Sequence, residues 1–66
     1  MFTGKVTNFD AKKGYGFIED EKGERYFAFI TSFKNRDEKR IVNNCEVEFE
    51  VAPGLKGPQA VNINLL

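Results

Sequence analysis

Three features of this sequence predict an all-β fold, a small barrel of five antiparallel strands in a single domain over residues 1–66. Extended runs with period-two alternation recur along the chain, and clusters of glycine, proline and charged residues punctuate them. No segment carries the apolar spacing of an amphipathic helix. So small a sheet leaves unpaired edges unless it bends and closes, and a five-stranded barrel is the economical way to hide them.

The first strand is expected from Phe2 to Phe9 with Val6 inward, and Asp10-Ala11-Lys12 turns the chain. The second strand is Lys13-Gly14-Tyr15-Gly16-Phe17-Ile18. Two glycines among three large side chains weaken a strand unless a close backbone approach, or the space above them, is used. Alternation puts Tyr15 and Phe17 on one face, with Gly14, Gly16 and Ile18 on the other. The turn-rich Asp20-Glu21-Lys22-Gly23-Glu24 links it to a third strand, about Glu24 to Ile30, as an antiparallel hairpin. Tyr15, Phe17, Phe27 and Phe29 then share one face, and Ile18, Tyr26, Ala28 and Ile30 share the other. Both faces are apolar but a single small sheet has one core, so one of them meets solvent.

Thr31-Ser32-Phe33 reads as a short helical turn with Phe33 in the core, and Lys34 to Arg40 as a solvated polar loop. The fourth strand, Cys45 to Ala52, alternates Cys45, Val47, Phe49 and Val51 inward with Glu46, Glu48 and Glu50 outward. Pro53-Gly54 ends it and Gly57-Pro58 begins the fifth, Gln59 to Leu65, with Val61, Ile63 and Leu65 alternating against Asn62 and Asn64.

A chain of 66 residues buries only about 60% of its unfolded surface and is stable by a few kcal/mol. Four solvated aromatic rings are a liability in such a protein unless they contact a partner, which points to a binding surface. Ten basic and ten acidic residues give zero net charge, so no overall field steers the chain toward polyanions. Basic residues accompany the glycine-aromatic strand (Lys5, Lys12, Lys13) and the middle loop, whereas acid gathers at residues 19–24 and at Glu46, Glu48 and Glu50. A single cysteine, Cys45, rules out an internal disulfide and suits a reducing compartment. Without a signal core, a membrane-length apolar run or a lipidation motif, a soluble cytoplasmic protein is expected. With no histidine and one cysteine, the sequence lacks the constellation for catalysis or metal binding, so no enzyme activity, cofactor or metal is expected.

The chain resembles the bacterial cold-shock proteins, through Gly4-Lys5-Val6 with Phe9, Lys12-Lys13-Gly14-Tyr15-Gly16-Phe17-Ile18, and Gly54-Leu55-Lys56-Gly57-Pro58-Gln59-Ala60 with Asn62. These segments span nearly its whole length. The resemblance implies an OB-fold barrel that binds single-stranded RNA or DNA, as an RNA chaperone or a regulator of transcription or translation. Lys13-Gly14-Tyr15-Gly16-Phe17-Ile18 is similar to that family's first ribonucleoprotein motif. Tyr26 to Ile30 stands where its second motif, typically V-F-V-H-F, belongs, with Phe29 for the histidine and Ile30 for the last phenylalanine. Asn8 occupies the place of an exposed aromatic, most often tryptophan, and Glu38 that of a loop aromatic.

Single strands expose flat bases, and a row of solvated rings stacks on them regardless of identity at about 1–3 kcal/mol per base. The expected stacking residues are Tyr15, Phe17, Phe27 and Phe29, with Phe9 and Asn8 at the edge. Lys13 and Lys56 are the phosphate candidates by family correspondence, with Lys5 and Arg36 as weaker ones. The other reading keeps the barrel and makes the altered face a protein-interaction or self-association surface. A monomer without membrane contact is expected, with self-association left open.

Overall fold

The computed structural model describes residues 1–35, 39–54 and 57–66. Its strands are β1 (Phe2–Asp10), β2 (Tyr15–Asp20), β3 (Arg25–Phe29), β4 (Glu46–Gly54) and β5 (Gly57–Leu65), with one 3-10 turn at Ile30–Ser32 between β3 and β4. They form a closed barrel in the order β1-β2-β3-β5-β4, with β4 returning to β1. Four of the seams are antiparallel, and the β3–β5 seam is parallel, pairing Phe27 with Gln59 and Ala28 with Ala60. The cause is parity: directions cannot alternate all the way round a ring of five, so one neighbouring pair must run the same way.

The interior holds Val6, Ile18, Tyr26, Ala28, Phe33, Ile41, Val47, Phe49, Ala60 and Ile63. Val6, Ile18, Tyr26, Ala28, Val47, Phe49 and Ile63 sit where alternation puts them, and Phe33, beyond the strand, is in the core as expected. Phe49 is wholly enclosed, with the Tyr26 ring at 5.3 Å and the Phe2 ring at 5.7 Å. Cys45 lies just before β4, half-buried against this core.

Simple alternation breaks at three places, in β5, at the end of β3 and in β1. In β5 the interior residues are Ala60 and Ile63, and Val61 is only half-buried. Between them Asn62 takes φ +50°, where the β4–β5 register slips between Glu48 and Glu50. An extra residue at a bulge moves the inward phase by one. At the end of β3, Ile30 leaves the strand for the 3-10 turn and packs half-buried against the core.

A second bulge shapes β1. Its register with β2 passes from Thr7↔Phe17 to Asp10↔Tyr15, so Asn8 and Phe9 together oppose Gly16. Asn8 has φ +47°, a conformation that asparagine tolerates better than most residues. Gly16 makes this crossing possible, since a Cβ there would strike Phe9 Cα and lie 2.8 Å from the Asn8 carbonyl oxygen. Gly14, at φ +80°, ends the preceding turn. Its amide donates to the Asp10 carbonyl and its own carbonyl accepts from the Ile30 amide, both at 2.8 Å.

Asp20 organises the β2–β3 turn. Its Oδ1 accepts from the amides of Lys22 and Glu24, each at 2.9 Å, and its Oδ2 from the Tyr26 hydroxyl at 2.8 Å. Partial burial works to raise the pKa of this carboxyl. The Tyr26 hydroxyl, the Glu24 and Lys22 amides and the Lys22 charge outweigh it, so Asp20 titrates below the ordinary aspartate value. A depressed carboxyl contributes stability that is present above its unfolded-state pKa and is lost as pH falls through the folded value.

Two outcomes follow for the folded chain. Gly16→Ala should destabilise it by roughly 1–3 kcal/mol, read as a lower urea midpoint, and an unchanged midpoint would mean that the bulge yields freely. Asp20→Asn should lower the midpoint at neutral pH, with the gap to wild type narrowing below about pH 4. A gap that persists undiminished in acid would remove the carboxylate from this role.

Candidate nucleic-acid interface

Strand pairing arranges the outer face of β1, β2 and β3 in rows. Phe27 lies opposite Phe17, and Phe17 opposite Thr7, while Phe29 lies opposite Tyr15. Cross-strand partners share a face, so with Ile18, Tyr26 and Ala28 inside, these four rings point outward as the hairpin pattern required. Tyr15 and Phe29 remain 41% and 39% exposed, and Phe17 and Phe27 are half-buried by their neighbours.

Phe27 is the hub of this face. Its ring centroid lies 4.8 Å from Phe29, 5.4 Å from Phe17 and 5.6 Å from Tyr15. The Tyr15 and Phe27 planes meet at 20° and those of Phe17 and Phe27 at 78°. Such offset and edge-to-face contacts add about 0.5–1.5 kcal/mol per pair beyond burial. They hold the rings in place while leaving ring surface on Tyr15 and Phe29 open to solvent.

Of the edge residues, Phe9 is half-buried and meets Phe33 edge-on at 5.5 Å and 77°. It packs against the core beside Gly16, at the edge of the face. Asn8 is exposed at the bulge. Any larger side chain at position 8 would have to adopt the same left-handed backbone, at about 1–2 kcal/mol. Ile30 is half-buried against the core, so of the two altered positions of the second motif Phe29 is the one that joins the ring cluster.

Charge borders the face on two sides. At one end Lys12 and Lys13 are exposed in the turn that feeds β2, with both amides bonded to Asp10 Oδ1 at 2.9 and 3.3 Å. At the other, Arg25 pairs in register with Glu19, Glu19 with Lys5, and Lys5 with Glu46, giving alternating signs across four strands. The Arg25–Glu19 pair is exposed, at 3.8 Å. Lys5 thus stands in register between Glu19 and Glu46, two positions beyond the last ring row. Lys56, Arg36 and Glu38 lie outside the described residues. Thr7, beside Phe17, and the charged row went unremarked in the sequence; the alternation of β1 about Val6, which turns Lys5 and Thr7 outward, is the signal that marks them.

The arrangement is an apolar, ring-lined surface of flat π-faces with ammonium groups at one rim. Among the described residues no group of three or more His, Cys, Asp or Glu side chains is placed to hold a metal ion, and no helix is long and apolar enough to cross a membrane. Comparison with known proteins places the chain in a family. A family model described as 'Cold-shock' DNA-binding domain matches residues 2–66. The chain is similar to cold shock-like protein CspD of Bacillus cereus and cold shock protein CspB of Bacillus caldolyticus, each 43% identical over 63 residues and 96% of both chains. It is 41% identical to the major cold shock protein of Streptococcus pyogenes serotype M18 over all 66 residues and 98% of that protein. Among solved structures, drosophila Unr CSD456 superposes with a TM-score of 0.78 at 29% identity, over 98% of this chain, which spans 26% of that longer one.

Proposed function

Since the chain belongs to the cold-shock domain family, whose members bind nucleic acid and are not enzymes, we propose that it binds single-stranded RNA or DNA by stacking bases on the β2–β3 face. Tyr15, Phe17, Phe27 and Phe29 carry the stacking, Lys13 meets the phosphates at the near rim, and Lys56 adds to it by family correspondence. The observation that supports this most is the four-ring cluster held at the surface of a barrel whose interior is already full. In a duplex the bases already stack on each other and cannot reach such a face, so unpaired strands are selected.

The protein works as a monomer in the cytoplasm, as a loose RNA chaperone or regulator. Transient stacking keeps bases from their pairing partners, and no bond in the ligand is made or broken. Binding is weaker than in a member with every aromatic in place. Each base loses about 1–3 kcal/mol when its stacking partner is gone, and Asn8, Ile30 and Glu38 stand where such partners occur in the family. Salt dependence is shallow, with a slope near −0.7 per phosphate contact and only about two or three contacts.

Fluorescence anisotropy of a labelled pyrimidine-rich heptamer, beside a duplex of the same sequence, tests this reading. Expected is single-strand-selective binding at micromolar strength. Tyr15→Ala and Phe27→Ala should each weaken it fivefold or more, about 1 kcal/mol or above, in variants whose circular dichroism is unchanged. Folded variants with wild-type affinity would remove these rings from the site.

A further inference from the structure

The β1 bulge is held from a distant part of the chain. Asn43 Oδ1 accepts a hydrogen bond from the Phe9 amide at 3.3 Å, across 34 positions of sequence. The location of Asn43 is itself fixed by the backbone around it. The Asn44 amide donates to the Val6 carbonyl at 2.7 Å, the Val6 amide to the Cys45 carbonyl at 3.0 Å, and Asn44 turns the chain at φ +74°. An extra strand residue at a bulge falls out of the ladder and needs another partner for its amide. Asn43 supplies one.

The bulge lies directly behind the aromatic face. Phe9 presses on Gly16, with its Cδ2 only 2.8 Å from where a Cβ would stand, and Gly16 separates Tyr15 from Phe17. A shift of Phe9 therefore moves the backbone that carries both rings. We propose that Asn43, which lies outside the ring cluster, is a positioning residue for strand binding: by holding the Phe9 amide it fixes the bulge that sets Tyr15 and Phe17. This rests on the β2–β3 face being the strand-binding site.

Asn43→Ala and Asn43→Asp separate the possibilities, the second keeping a side-chain oxygen as acceptor. Three quantities are measured on each: heptamer affinity at two salt concentrations, amide hydrogen exchange at Phe9, Tyr15, Phe17 and Phe49, and the urea midpoint. Asn43→Ala should bind the heptamer roughly three- to tenfold more weakly, the range of one lost hydrogen bond. Exchange at Phe9, Tyr15 and Phe17 should rise with no change at Phe49. Asn43→Asp should stay within about twofold of wild type at the higher salt, where its added charge is screened. Equal affinity for wild type and Asn43→Ala would overturn the positioning role, as would equal losses in both variants, or a loss with Phe9 exchange unchanged. A wild-type protein that binds no heptamer would instead overturn the strand-binding reading and the positioning role with it.

Discussion

A closed barrel of five strands has one interior, and each strand must surrender one of its two faces to it. Here that interior is taken by Phe49, Phe33, Tyr26 and a set of aliphatic residues, with Ala28 and Ala60 side by side where the parallel seam brings β3 and β5 together. Burying a large apolar side chain is worth about 1.5–3 kcal/mol, a gain that the rings on the other side of β2 and β3 in part forgo. Their contacts around Phe27 offset some of that loss. The rest is surface free energy that a flat partner would recover on contact, and it is the physical basis of the stacking proposed for this face.

The same constraint explains which parts of the molecule were legible in the sequence. Where a strand runs straight between the core and solvent, alternation reports its faces. Val47 and Phe49 against Glu46 and Glu50, and Ile18 and Ala28 against Phe17 and Phe27, are placed as their spacing demanded. Where the sheet must bend to close, an extra residue breaks the alternation. Asn62 moves the inward position of β5 to Ala60, and Asn8 lifts Phe9 out of register with β2. Both of these positions are asparagines in left-handed backbone, a signal that means little until the pairing partner is known. The parallel seam was implicit in the odd strand number, though no local pattern announces it. The tie between Asn43 and Phe9 was invisible for a different reason: it joins positions far apart through a side chain and a backbone amide, and composition carries no trace of such a bond.

Under the proposed stacking, charge on this barrel would direct a ligand and contribute little to holding it. With zero net charge, attraction at a distance is weak, and the Debye length of about 10 Å in ordinary salt shortens it further. The local pattern nonetheless has a direction. Lys12 and Lys13 stand at the entry to β2, whereas the turn at its far end carries Glu21 and Glu24 beside the ionised Asp20. A phosphate chain laid across the rings as proposed would be drawn to the first end and repelled from the second, where the row from Arg25 to Glu46 bounds the apolar surface.

Phe29 sharpens this division. The chain contains no histidine, so the face has none of the side chains that ordinarily change charge near neutrality. A phenylalanine at position 29 trades a hydrogen-bonding, titratable ring for one that stacks and does nothing else, and its contact with Phe27 at 4.8 Å ties it to the ring cluster. Discrimination among bases needs directed donors and acceptors, whereas every base has a π-face. Under the proposed function, Phe29 therefore moves the balance of this surface from reading a strand toward simply keeping it unpaired.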